Sequence, residues 1–256
     1  MFQKDYCDKE FERLVILGES TVQGGGWLQR QDQRFGDIIA QLIDACQAKP
    51  VEYFNEGVSA SVISPRSPGY DDSAKPSAME RYRERVIARR PDLFVFCYGL
   101  NDMRCGNPVD AFIEDMDTIL VDVKTACSPV IVLTTVYHMT GFDRYAPFNV
   151  GSVEVTKEYN RAIAALAEKR DCILADVWEA EGMADHLIHP DGVHANAVGS
   201  ILIANKVFEA IARSCSGISA HTQAIDQDTE WGRHAAKVAH RERGNEVKDW
   251  GRFVGS

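Results

Sequence analysis

A lone serine follows an apolar run near the start of the chain. Ser20 closes the segment Leu-Gly-Glu-Ser at residues 17–20, directly after Leu-Val-Ile at residues 14–16. The apolar run predicts a buried strand, and the residues after it predict the start of a helix. A serine held at such a turn is a candidate nucleophile for acyl transfer.

A serine hydroxyl is a weak nucleophile near neutral pH, so it needs a base and a third group that orients the base. Asp191 and His194, both within residues 189–194, supply these two groups. Their spacing lets both side chains face the same way, with Asp191 holding one imidazole nitrogen and the other nitrogen facing Ser20. Asp191 is alternatively the N-cap of the periodic segment that follows.

Attack by a serine on an acyl carbon creates an oxyanion, and three donors for it follow predicted strand ends. They are the backbone N–H of Ser20, the backbone N–H of Gly57 and the side-chain amide of Asn101. Fixed donors of this kind often supply the largest single catalytic effect. A glycine after a strand and an Asn-Asp pair are also common in turns, so the prediction depends on the whole set.

Taken in chain order, these four segments resemble the SGNH hydrolases, also called the GDSL esterase and lipase family, over residues 13–211. The resemblance implies a catalytic group of Ser20, Asp191 and His194, and an oxyanion hole of Ser20, Gly57 and Asn101. It also implies a flavodoxin-like three-layer α/β/α sandwich and a reaction through an acyl-serine intermediate.

Two positions depart from the usual pattern of that family. Glu19 replaces the aspartate that normally precedes the serine, so a longer acid must satisfy the backbone of the turn. Ala195 follows the histidine where proline is frequent, while Asn196 and Gly199 continue the similar pattern. Neither change removes a catalytic group.

The resemblance implies a serine hydrolase of carboxylic esters, with short acyl groups such as acetyl on a carbohydrate or another small alcohol. An acyltransferase would use the same residues with an alcohol as acceptor, and it is the first alternative. A second alternative is a flavodoxin-like module whose Ser20 turn and glycines at residues 24–26 hold a nucleotide phosphate. Those glycines lack the ending and the spacing of the known nucleotide motifs, which disfavours this alternative.

Apolar runs alternate with segments of helical periodicity, as in βαβ units around a parallel sheet. The runs predict five strands, at residues 13–17, 51–54, 93–99, 130–136 and 172–177. Apolar stripes predict helices at residues 35–46, 79–87, 112–123, 155–166 and 197–211. The expected fold is therefore α/β, with a five-stranded parallel sheet between two helical layers.

Three irregular stretches, at residues 60–76, 138–152 and 178–190, follow predicted strands. Ligands of open parallel sheets bind beyond the carboxyl ends of the strands, so we expect these loops to build the substrate pocket. Aromatic and arginine side chains in loops suit sugar or acyl recognition, although each of them could equally be an ordinary surface residue. The candidates are Trp27, Arg66, Tyr70, Phe142, Arg144 and Tyr145.

Composition bounds the class of protein. The chain has 256 residues, 45% of them hydrophobic, which suits one catalytic domain at residues 1–218 and a polar extension at residues 219–256.

No apolar run approaches the roughly 18 residues that cross a bilayer, and the first residues are too polar for a signal peptide, so we expect a cytoplasmic protein. The net charge of −10 disfavours nucleic acid and anionic membranes as partners. The expected partner is a small-molecule ester.

Metal and cofactor chemistry is not expected. The seven cysteines have scattered spacings that fit neither a disulfide framework nor a Cys-x-x-Cys metal site. His138 and His189 flank the predicted crevice, but no acidic or cysteine cluster at ligand spacing accompanies them.

The extension at residues 219–256 contains a predicted polar helix at residues 228–243. Its few apolar residues suit docking on the domain or on a second copy of the chain, which would make a homo-oligomer. A loosely ordered extension fits the same composition. These apolar residues are Trp231, Val238, Val247, Trp250 and Phe253.

Overall fold

A parallel sheet forms the centre of the fold. The computed structural model describes residues 4–244 and contains, within them, strands β1 (Arg13–Gly18), β2 (Glu52–Gly57), β3 (Leu93–Cys97), β4 (Val130–Thr134) and β5 (Ile173–Ala175). The order across the sheet is β2-β1-β3-β4-β5, and every neighbouring pair is parallel. This is the flavodoxin-like order, with its switch point between β1 and β3.

Helices connect the strands. They are α1 (Ser20–Gln23), α2 (Phe35–Asp44), α3 (Tyr70–Ser73), α4 (Ala78–Arg85), α5 (Leu100–Arg104), α6 (Val109–Cys127), α7 (Val153–Lys169), α8 (Val177–Glu181), α9 (Ala197–Ser214), α10 (Gly217–Asp228) and α11 (Glu230–Gly244). Short 3₁₀ turns lie at Gln31–Gln33, Ile87–Arg89 and Asp185–Leu187.

The helices form two layers. On one face α2 packs against α9, and on the other α6 packs against α7, while α7 and α9 both contact β4 and β5. Strands covered on both faces need apolar residues throughout, and all five residues of β3 are buried. The predicted α/β/α sandwich with a five-stranded parallel sheet is confirmed.

The predicted strands coincide with the observed ones, with differences at their ends. β2 begins one residue later than predicted and continues to Gly57, because its pairing with β1 extends to the partners Gly18 and Gly57. Polar residues at the end of β2 conceal this pairing in the sequence. β3 and β4 each end two residues early, where the chain turns away toward the next loop.

The start of the predicted C-terminal extension is part of a packed helix. α10 begins at Gly217, whose N–H donates to the carbonyl of Cys7 at 3.0 Å, and Ile218 is buried. The predicted helix at residues 228–243 corresponds to α11, and its Trp231 is 74% exposed. Val247, Trp250 and Phe253 lie outside the described residues, and the division into two parts at residue 218 stays a prediction.

Within residues 4–244, no helix combines the length and the apolar character that crossing a membrane requires.

The end of β2 packs unusually closely against α1. A Cβ atom added to Gly57 would lie 2.1 Å from the backbone nitrogen of Gln23, a contact that only movement of the backbone can relieve. In the following loop, a Cβ atom added to Gly26 would meet no atom within 4 Å.

We expect Gly57→Ala to lower the free energy of unfolding by about 1–3 kcal/mol, because the methyl group overpacks the β2–α1 contact. Gly26→Ala is the matched control and should change this free energy by less than about 0.5 kcal/mol. Urea denaturation measures both variants. Equal stability of the two would contradict the close contact between β2 and α1.

Candidate active site

Ser20 is the first residue of α1 and follows β1 directly, with Glu19 as the N-cap. Only 6% of Ser20 is exposed. The backbone N–H of the first residue in a helix has no acceptor within that helix. The turn after β1 therefore presents both the hydroxyl and the N–H of Ser20 at the carboxyl edge of the sheet.

The side chains of His194 and Asp191 continue from the Ser20 hydroxyl in a chain of hydrogen bonds. Nε2 of His194 lies 2.8 Å from Oγ of Ser20, and Nδ1 lies 2.8 Å from Oδ2 of Asp191. Ser20 and Asp191 are 171 positions apart in the sequence, and Asp191 and His194 are 3 positions apart. The fold brings all three residues together.

The loop that carries Asp191 is fixed by its own backbone. Oδ1 of Asp191 accepts the N–H groups of Val193 at 2.8 Å and His194 at 3.0 Å, so the carboxylate folds back onto its own turn. The N-cap of α9 is Asn196, whose side chain accepts from Val198 and Gly199. The alternative prediction that Asp191 caps this helix is therefore wrong.

Burial and hydrogen bonding set the protonation of this pair. Burial lowers the pKa of His194 below its ordinary value, and the neighbouring Asp191 only partly opposes this effect. Burial tends to raise the pKa of Asp191, but the N–H groups of His194 and Val193, together with the imidazole, lower it further and hold it below its ordinary range. His194 is consequently neutral and Asp191 ionised near pH 7.

A second loop, residues 138–152, holds the loop of Asp191 and His194 in position. The carbonyl of Gly192 accepts the N–H groups of Thr140 at 2.9 Å and Gly141 at 2.7 Å. Nη1 of Arg144 donates to the carbonyls of Pro190 and Asp191, each at 3.1 Å. Arg144, predicted as a pocket residue, thus supports the backbone of the site.

The Glu19 side chain joins the turn after β1 to the segment after β3. Its carboxyl group is 1% exposed and accepts the N–H of Gly99 at 3.1 Å and that of Asn101 at 3.2 Å. Burial, followed by the nearby carboxylate of Asp102, raises the pKa of Glu19 to about 8. The longer acid therefore satisfies the backbone of a different segment from its own turn.

The three predicted oxyanion donors differ in their availability. Asn101 is buried, and its side-chain nitrogen donates to the carbonyl of Ser61 at 3.0 Å, which leaves its second hydrogen for another acceptor. The N–H of Gly57 donates to Oδ1 of Asn55 at 3.0 Å. Gly57 is the last residue of β2, and its N–H is occupied in this structure.

Ala60 is a residue that the sequence analysis missed. It has φ of 58°, in the left-handed region where glycine is the usual residue, and it directly precedes Ser61. Among the hydrogen bonds of residues 4–244, none uses its N–H. The N–H of Ala60 is a second candidate for the oxyanion donor that the sequence assigned to Gly57. No sequence signal marks an alanine in this backbone conformation.

Comparison with known proteins identifies the family. The family model for the GDSL-like lipase/acylhydrolase family matches residues 16–200. The chain belongs to this family. It is a carboxylic ester hydrolase, as the resemblance of its sequence motifs implied.

Relatives of this GDSL-type hydrolase are distant in sequence. An acetylxylan esterase from Geobacillus stearothermophilus is 21% identical over 219 residues, which are 78% of this chain and 94% of the relative. A crystal structure of an acetylxylan esterase from the same organism covers 80% of this chain and 95% of its own, with 19% identity and a TM-score of 0.59. A lipase/acylhydrolase structure from Enterococcus faecalis covers 78% and 95%, with 19% identity and a TM-score of 0.62. The structural similarities show that the fold is shared.

Two other histidines of the hydrolase, which the sequence predicted beside the crevice, contact carboxylates. His138 is buried and pairs with Asp185, the two side chains being 2.8 Å apart. Nδ1 of His189 lies 3.1 Å from Oδ2 of Asp191. In the part of the chain that the structure describes, no group of three or more His, Cys, Asp or Glu side chains is arranged to hold a metal ion.

Trp27 covers one face of the His194 ring. The two ring centroids are 3.6 Å apart and the ring planes differ by 8°. The sequence marks Trp27 only as a candidate pocket residue, because contact between residues 27 and 194 leaves no local signal.

We expect the protonation of Glu19 to make stability depend on pH. A folded pKa of about 8 lies above the ordinary value of 4.5, so the folded protein loses stability as pH rises from about 4.5 to about 8. Glu19→Gln removes this titration. Relative to that variant, the wild-type free energy of unfolding should fall by at least about 2 kcal/mol between pH 5 and pH 8.5.

Urea denaturation at several pH values measures this difference. Glu84→Gln, on an exposed side chain, is the control and should keep the pH dependence of the wild type. Parallel curves for the wild type and Glu19→Gln would show that the Glu19 carboxyl group does not titrate in this range.

Proposed function

We propose that this ester hydrolase cleaves short acyl esters through an acyl intermediate on Ser20, with His194 as general base and Asp191 orienting it. The observation that carries the proposal is the unbroken chain of contacts, 2.8 Å from Oγ of Ser20 to Nε2 of His194 and 2.8 Å from Nδ1 to Asp191. Both distances are within the range for proton transfer and for orientation of the ring.

The reaction begins with the transfer of the Ser20 proton to Nε2 of His194 while Oγ attacks the acyl carbon. His194 then gives this proton to the departing alkoxide, which leaves the acyl group on Ser20. In the second half, His194 takes a proton from water while the water oxygen attacks the acyl carbon. His194 then gives this proton to the departing Oγ of Ser20, which releases the acid and restores the serine. The lowered pKa of His194 supports the first step, because only the neutral ring can accept a proton.

The oxyanion formed in each half requires fixed donors. In our proposal, the N–H of Ser20 and the side-chain nitrogen of Asn101 are donors, because each has a hydrogen without an acceptor within residues 4–244. Glu19 supports this role, since it hydrogen-bonds the backbone of Asn101 and directly precedes Ser20. Gly57 would act as a third donor only after its N–H leaves Asn55, and Ala60 would need no such change.

We further propose acetyl esters of a carbohydrate as the substrate class. The support is the relative from Geobacillus stearothermophilus, an acetylxylan esterase that aligns with 78% of this chain. The catalytic geometry itself is compatible with any ester whose carbonyl reaches Ser20.

Ser20→Ala should reduce kcat for acetate release by roughly 10³-fold or more, because no other group can form the acyl intermediate. Acetylated xylo-oligosaccharides serve as substrate, with acetate measured over time. A fluorophosphonate probe should label the wild-type protein and not the variant. Ser59→Ala, on a nearby serine outside the proposed machinery, is the control and should label normally.

Two outcomes separate the parts of this proposal. Equal labelling of the wild type and Ser20→Ala would remove Ser20 as the nucleophile. Faster hydrolysis of p-nitrophenyl octanoate than of p-nitrophenyl acetate would contradict the short acyl group while leaving the catalytic residues in place.

The pH profile should report the protonation of His194. Because the protonated ring cannot act as a base and its pKa lies below 6.5, kcat/KM should rise with pH and reach half its maximum below pH 6.5. Asp191→Asn removes a carboxylate that raises this pKa, so the midpoint should move to lower pH as the maximal rate falls. Initial rates between pH 4.5 and pH 7.5 give both midpoints, and a half-maximum above pH 7 would contradict the assignment.

A further inference from the structure

Trp27 lies against His194 in a geometry that the hydrogen bonds alone do not require. Ser20 and Asp191 hold the two ring nitrogens, each at 2.8 Å. Contacts at two nitrogens leave the imidazole free to tilt about the line that joins those nitrogens. The parallel indole of Trp27, with a centroid distance of 3.6 Å and an angle of 8°, restricts this tilt.

The glycines before Trp27 explain how the indole reaches this position. A Cβ atom added to Gly25 would lie 2.3 Å from the six-membered ring of the indole, so only glycine allows the side chain to fold back here. Gly24 has φ of 76°, and a Cβ atom added to it would lie 2.5 Å from Cδ of Arg34. Leu28 closes the turn by donating to the carbonyl of Gly25 at 3.0 Å. Gly25 is thus needed to place Trp27, and Gly24 is needed for the backbone conformation that precedes it.

The stack also responds to the charge of the imidazole. The face of an indole carries negative charge density and attracts a cation, so it interacts more strongly with a protonated ring than with a neutral one. In the proposed reaction, His194 becomes protonated as Ser20 attacks. An interaction that strengthens at that moment lowers the barrier, because it stabilises the transition state more than the ground state.

We propose that Trp27 is a positioning residue for the ester hydrolysis, which holds the plane of the His194 ring and stabilises its protonated form. This inference rests on the proposed role of His194 as base. It assigns Gly25, within the glycine-rich residues 24–26, to the support of the indole, in place of nucleotide binding.

Trp27→Leu should lower kcat for acetate release by roughly 10- to 100-fold, as expected for a misplaced catalytic group, with KM changed by less than about twofold. Trp27→Phe retains an aromatic face and should recover most of this loss. Gly25→Ala should resemble Trp27→Leu because its methyl group displaces the indole, whereas Gly26→Ala should match the wild type. A rise in KM with unchanged kcat in Trp27→Leu would overturn the proposal.

A fluorescence titration tests the stack without any turnover. A protonated imidazole in contact with an indole quenches its emission, so the emission of Trp27 should rise as His194 loses its proton. The difference between the wild type and Trp27→Phe isolates Trp27 from the other tryptophans. Trp178 and Trp231 need this correction, because their ring centroids lie 5.8 Å from that of His138 and 5.6 Å from that of His234.

His194→Asn should abolish the pH dependence of this difference signal. A signal that does not change with pH in the wild type would overturn the proposal. Failure of the proposed function would look different. Ser20→Ala and His194→Asn would then keep acetate release, while in the wild type the emission of Trp27 would still follow the protonation of His194. Full activity of Trp27→Leu beside inactive Ser20→Ala would reject only the role of Trp27.

Discussion

The site depends on the hydrogen bonds that the buried carboxyl group of Glu19 accepts. Glu19 follows the last residue of β1 and accepts backbone hydrogens from Gly99 and Asn101 after β3, so one side chain joins the ends of two neighbouring strands. Ser20 and Asn101 are thereby held at a fixed separation. Burial of this acid costs free energy and raises its pKa to about 8. The buried carboxyl group holds the two segments together.

The sheet order explains why these two segments meet. β1 lies between β2 and β3, and the chain leaves the sheet in different directions at the switch point, which opens a crevice at the carboxyl ends. Asp102, next to Asn101, extends the connection to the loop after β2 by accepting the N–H of Ile63 at 2.9 Å. Loops from three strands therefore converge on one small volume, where a tetrahedral intermediate would need its donors.

The segment with Asp191 and His194 is held by two other parts of the chain. Its backbone is tied to residues 138–152 through Gly192 and Arg144, and its histidine is covered by Trp27. Trp27 and Ser20 belong to the same short stretch of chain. Ser20 and the indole that covers His194 are therefore positioned together, and a shift of this stretch would affect both.

The sequence by itself determined the fold class and the approximate strands and helices, and it marked Ser20, Asn101, Asp191 and His194 as candidate site residues. Apolar periodicity and residue type are local properties, so they can be recognised without knowing what packs where. Only the tertiary structure decided that the N–H of Gly57 is occupied by Asn55, that Asn196 rather than Asp191 caps α9, and that Trp27 stacks on His194. Each of these three contacts depends on which polar or aromatic partner lies within contact distance. The packing of segments that are distant in the sequence decides which partner that is.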